Sequence, residues 1–282
     1  MWEVVHDDTR PLEYGSIEAS SDRFNPVAID AMPVHRLAEM TWEDVRDADR
    51  ARAVAILPVG AVEAHGPHLP LGTDVIIAEA MARRGGEKLS DAGFTALVMP
   101  PLWYTAAGFA RNFPGTIGVD GDTVRRLIRE IATALAEHGI KTLAIANAHL
   151  DPENLAALRA ASGEAHEGVN VVFVDLTRRA VAEQLTDEFR TGACHAGRFE
   201  GSVVMAEAPD LVKTAVAAEL EPNPSSLSDA IRDGARTFAD AGGPRAYFGW
   251  PADATTEEGR ETIEVLAGLL ADAVIASVET SA

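Results

Sequence analysis

Cysteine is nearly absent from this 282-residue chain. Cys194 stands alone, which excludes an intramolecular disulfide and any thiolate-based zinc cluster. That usage suits a reducing compartment, and the cytoplasm is the expected location. Basic residues are scarce too: 24 lysines and arginines face 44 aspartates and glutamates, a net charge of −20. So acidic a chain argues against DNA or RNA as main partner, because phosphate binding draws on clustered cations. It argues equally against an anionic membrane surface. Long hydrophobic runs are missing, and every apolar stretch falls far short of the roughly 20 residues a spanning helix needs. The opening MWEVVHDDTRPLEYGS has neither a basic n-region nor an apolar h-region, so no signal peptide is expected. No G-x-G-x-x-G, Walker loop or G-x-S-x-G occurs, so nucleotide and serine-hydrolase readings lack their signals.

What is present is an ordinary globular composition, 47% hydrophobic and 24% charged, long enough for a full core. Residues 1–40 are polar and proline-interrupted and read as an irregular extension, covering a neighbouring subunit or the pocket mouth. Thr41 can cap a short helix. From residue 41 to 282 the pattern is that of one domain. Ala53–Val59 is an apolar run of the kind a buried parallel strand shows, and Phe94–Pro100, Thr142–Ala146 and Val169–Asp175 follow as further strands. Helices are expected over 75–84, stopped by Gly85-Gly86, and over 122–138, 152–167, 177–191, 202–207 and 256–278, with a Pro/Ser loop at 221–228. Alternating strands and helices predict an α/β fold, a mostly parallel sheet covered on both faces. In such sheets sites form beyond the carboxyl ends of the strands.

Ligand-type residues gather at those places. GAVEAHGPHLPLGTD, residues 60–74, carries Glu63, His65, His68 and Asp74. Histidines with carboxylates suit zinc, manganese or iron and need no thiolate. Asp74 also fits the N-cap of a helix beginning at Val75, and a lone His68 fits a hydrogen-bonded structural residue. ANAHLDPEN, residues 146–154, adds His149 and Asp151; Asp151 alternatively caps the helix opened by Pro152, and Glu153 is the other candidate ligand. CHAGRFEGS, residues 194–202, adds His195 and Glu200. His195 suits acid–base work for a leaving group. A Cys194 nucleophile is set aside, because sequence neighbours such as Cys194 and His195 point apart. NFPGT at 112–116 and the aromatic turn 247–251 mark tight turns.

These motifs, with the late FGWPADATTEEG, resemble in order the creatininase (creatinine amidohydrolase) family. The resemblance implies a three-layer α/β/α fold and hydrolysis of a C–N bond, amide or cyclic amide, in a small-molecule substrate. It implies two divalent metals per subunit and a homo-oligomer, a hexamer or similar ring. Glu63 and His149 would bind one metal, His65 the other, and Asp74 would bridge them. Asp151 falls where creatininase has a glutamate ligand, and would also accept or orient a proton. His195 falls on the proton-transfer histidine and Glu200 on an acidic residue of the same motif. The chain departs from the pattern at Ala110, Ala148, Cys194 and Gly201, and no tryptophan stands near Thr191, which speaks against creatinine itself as substrate. Two alternatives are a peptide-processing metallopeptidase of the same family and a non-hydrolytic metalloenzyme acting on a sugar or keto compound.

Overall fold

The computed structural model describes residues 34–281, so the expected extension lies outside the described residues as far as residue 33. Among the described residues five short strands form one sheet: β1 (His35–Arg36), β2 (Ala53–Val59), β3 (Thr95–Val98), β4 (Thr142–Asn147) and β5 (Asn170–Phe173). Their order is β1-β3-β2-β4-β5 and every pairing is parallel. The edge strand β1 falls inside the stretch read as irregular, because two residues are too few to show a period. Among the described residues there are ten α-helices: α1 (Trp42–Asp47), α2 (Thr73–Asp91), α3 (Gly121–Glu137), α4 (Pro152–Gly163), α5 (Arg179–Ala182), α6 (Asp187–Thr191), α7 (Arg198–Glu207), α8 (Thr214–Ala217), α9 (Leu227–Arg232) and α10 (Thr256–Ser281). Thr41 caps α1 through a reciprocal box with Asp44.

Alternation along the strands builds the three layers. Val54 and Ile56 of β2 point to one face and pack with Met81 and Leu89 of α2 and Leu266 and Leu270 of α10. Ala55, Leu57 and Val59 point to the other face and meet Val124, Ile128 and Leu135 of α3 and Leu158 of α4. Both faces of β2 and β4 are therefore buried, which is why these strands read as continuous apolar runs.

Three helix expectations need correction. Gly85-Gly86 does not stop α2; both glycines are buried inside it, and a Cβ on Gly85 would stand 2.8 Å from Leu270 of α10. They are there for close packing. The single helix expected over 177–191 is two, α5 and α6, because Thr186 caps a fresh start by accepting from the Phe189 N–H. The helix expected from 202 begins at Arg198, and the Pro/Ser loop ends at Ser226, which caps α9.

Gly259 shows how tightly α10 meets α7. A Cβ there would stand 2.0 Å from the Ser202 carbonyl oxygen, a backbone atom that cannot move aside alone. Gly259→Ala gains about 1 kcal/mol in helix propensity but incurs an overpacking cost of about 1–3 kcal/mol or more. The melting temperature should fall by several degrees in calorimetry; an unchanged or raised value contradicts this packing.

Candidate metal centre

The loop leaving β2 must pass close to α2. Gly60 allows it, since a Cβ at that position would meet the Val75 amide nitrogen at 2.5 Å. The loop then carries Glu63 and His65 back over the sheet, while Asp74 sits in the first turn of α2. Asp74 is not the cap: Gly72 holds that position with no side-chain bond, leaving the carboxylate free to turn inward. His149 follows β4, and His195 and Glu200 arrive with the start of α7. All six side chains are buried.

They converge. His149 Nδ1 lies 3.0 Å from Asp74 Oδ2 and 3.3 Å from Glu63 Oε2. His65 Nε2 lies 3.2 Å from Asp74 Oδ1 and 3.5 Å from Glu200 Oε2. Two sets of potential ligand atoms result, Glu63–Asp74–His149 and His65–Asp74–Glu200, each within 4.8 Å and sharing Asp74. A third such set joins Glu63, His65 and His195. The rings are fixed from behind. His149 Nε2 sits 2.7 Å from the Ala106 carbonyl and His65 Nδ1 sits 3.0 Å from the Glu63 carbonyl. Carbonyls only accept, so each of these nitrogens carries a proton and the other faces the carboxylates, where its lone pair becomes available to a cation once its own proton leaves. The His149 carbonyl is in turn held by the Asn147 and Asn154 side-chain amides.

Glu63 Oε2, His65 Nε2 and Asp74 Oδ2 are buried and have no hydrogen-bond partner among the described residues. Three buried carboxylates aimed at one another and at imidazole lone pairs carry a large desolvation cost unless positive charge lies between them. Either protons or cations supply it. As protons, the effect falls on the imidazoles. Burial opposes their charge, but Asp74 and Glu200 around His65, and Glu63 and Asp74 around His149, outweigh it and push both up to about 10. Burial raises Glu63 and Glu200; on Asp74 the two imidazoles prevail over burial and hold it well below the usual carboxylate range. This donor set of two nitrogens and three carboxylates fits divalent zinc, manganese or iron.

The remaining candidates separate clearly. Asp151 caps α4, accepting from the Glu153 amide at 2.8 Å and the Phe109 amide at 3.1 Å. It lines the cleft beside the cluster but joins none of the three ligand sets. Glu153 faces away and accepts from the Gly121 amide at the start of α3. His68 is buried but stands outside the ligand sets. His195 Nε2 lies 3.0 Å from the Ala64 carbonyl and its ring stacks on Phe238 at 4.1 Å. Burial and the neighbouring His65 push it well below its ordinary value, so it is neutral at pH 7.

Creatininase, creatinine amidohydrolase, is the family whose model matches, over residues 38–274. The chain belongs to that family. The creatinine amidohydrolase of Pseudomonas putida is 33% identical over 194 residues, 62% of this chain and 73% of that protein. The mycofactocin precursor peptide peptidase of Mycobacterium tuberculosis (strain ATCC 25618 / H37Rv) is 31% identical over 227 residues, 78% of this chain and 82% of that protein. A solved mutant creatininase complexed with creatine shares 27% identity and a TM-score of 0.65, covering 86% of this chain and 97% of that one. A manganese creatininase is 28% identical with a TM-score of 0.63, covering 86% and 97%.

One residue that holds the segment carrying His195 and Glu200 gives no signal in the sequence. Glu188, buried in α6, accepts from the backbone amides of Arg198, Phe199 and Trp250 at 2.9, 2.6 and 2.8 Å. It caps α7 from a distance and ties the His195–Glu200 segment to the turn at 250. Cys194 lines the cleft, but burial, with Glu200 and Glu188, pushes its thiol up, away from the thiolate a nucleophile needs. Cys194→Ser should keep kcat within about threefold in a steady-state assay; complete loss would restore the thiol reading.

Proposed function

We propose that this chain hydrolyses a C–N bond, amide or cyclic amide, in a small molecule. Two divalent cations per subunit would be held by Glu63, Asp74 and His149 on one side and His65, Asp74 and Glu200 on the other. The observation that carries the reading is Asp74, whose two oxygens face the two imidazoles from opposite ends of one carboxylate. Bound there, such cations polarise a carbonyl and make water acidic enough to serve as nucleophile near neutral pH.

The chain's own residues do the rest. Asp151, pinned by two backbone amides at the cleft wall, orients the attacking water and accepts its proton. His195 keeps its Nε2 proton on the Ala64 carbonyl, so its Nδ1 lone pair would take up the proton that the water gives to Asp151 and pass it on to the departing nitrogen. The cleft is lined on the α9 side by Leu227 and Ile231 and its cavity volume is only ≈ 50 Å³, which supports a small molecule over an extended peptide. Among the described residues no helix is long and apolar enough to cross a membrane. Exposed Leu71, Trp103 and Ile117 support the self-association this reading includes, and sedimentation of the purified protein tests it.

The test is a panel of lactams, formamides and guanidino compounds assayed for amine or ammonia release, with chelation and metal restoration. Turnover lost with chelator and restored by zinc, manganese or iron supports the proposal; turnover of a sugar or keto compound with no amine release favours the non-hydrolytic alternative. Metal uptake should also depend on pH. Cation-free His65 and His149 hold protons at pH 7, and each cation must displace one. Affinity should therefore rise about tenfold per pH unit per ion between pH 6 and 8. Calorimetry in buffers of different ionisation heat reads the released protons directly; no proton release contradicts the charged imidazoles.

A further inference from the structure

The wall of the cleft opposite the ligands has a chemistry of its own. Phe109, Leu150, Leu227, Ile231 and Phe238 line it, and among the described residues no lysine or arginine does. The aromatic part is rigid. Phe109 and Phe238 have ring centroids 6.0 Å apart, the Phe238 amide donates to the Phe109 carbonyl at 3.1 Å, and Phe238 stacks on His195. The other part is α9, whose Leu227 and Ile231 turn toward Phe238 while Asp229 and Asp233 face solvent.

Charge bookkeeping points the same way. Glu63, Asp74, Glu200 and Asp151 all line the cleft. Their four negative charges balance those of two divalent ions, and the histidines that complete the site are neutral once ligating. No surplus positive charge is left for an anionic group on the substrate, and the wall offers no hydrogen-bonding cation to replace it.

We propose that the substrate carries an uncharged, apolar or aromatic group next to the scissile C–N bond, seated against the wall formed by Phe238, Leu227 and Ile231, and that the cleft rejects substrates with a carboxylate or phosphate at that place. This rests on the metal-centre reading above. The group sits against the ring that bears the transferred proton, so its fit also sets the distance between His195 and the leaving nitrogen.

The test uses binding, not turnover. Zinc-loaded protein is titrated calorimetrically with acetohydroxamate, benzohydroxamate and 4-carboxybenzohydroxamate, which share one metal-binding group. Benzohydroxamate should bind at least tenfold more tightly than acetohydroxamate, and the added carboxylate should weaken it at least tenfold. Ile231→Ala should reduce the benzohydroxamate advantage severalfold. Ile231→Lys should reverse the order of the two aromatic probes, a gain that misfolding cannot produce. Equal affinity for all three probes, or tighter binding of the carboxylate in the unaltered protein, overturns the substrate class alone. Failure of even acetohydroxamate to bind overturns the metal centre, and this inference with it.

Discussion

Asp74→Ala loses bound metal and turnover together. Its carboxylate is the single group common to both ligand sets, so its removal leaves Glu63 with His149 and His65 with Glu200 as separate, incomplete pairs. The expected metal content is well below one ion per chain. The fall in kcat should exceed the roughly 10²–10³ that the loss of one electrostatic stabiliser costs, because the nucleophile itself is lost. The fold should survive, since Asp74 does not cap α2 and no backbone amide of that helix depends on it. Elemental analysis beside circular dichroism reads both. Two ions per chain in folded Asp74→Ala would remove the shared-ligand arrangement.

His195→Ala should divide the two readouts that Asp74→Ala joins. His195 holds the Ala64 carbonyl through Nε2, and Glu63 Oε1 lies 3.8 Å away, farther than the contacts the other imidazoles make. It is placed to move a proton. Removing it should lower kcat roughly 10²–10⁴-fold while metal content stays unchanged, and should flatten the limb of the pH–rate profile that reports its ionisation. A parallel loss of one ion would instead make His195 a ligand, in the third of the buried sets.

How much of this was legible in the sequence depended on how local each cause was. β2 and β4 were readable because strands buried on both faces leave continuous apolar runs. The clusters at 63–74, 149–151 and 195–200 were readable because ligands crowd just beyond strand ends. Asp74 and Asp151 had the same two readings, cap or ligand, and sequence spacing could not divide them. In the fold Asp74 turns inward, while Asp151 accepts from two backbone amides, one of them from Phe109, 42 residues earlier. Glu188 was invisible for the same reason, since its partners Arg198, Phe199 and Trp250 meet only in the fold. Gly85 and Gly86 look like a stop in sequence because their neighbours are distant along the chain, Leu270 of α10 for Gly85 and Ile56 and Ala96 of the sheet for Gly86.

Cations lying between these loops are what would join the six side chains into one centre. Anomalous diffraction from crystals of the active protein, measured at the zinc, manganese and iron edges, tests that most directly. The predicted result is two peaks sharing Asp74, one bonded to Glu63 and His149, the other to His65 and Glu200. A catalytically competent crystal with no anomalous peak among these six side chains would contradict it.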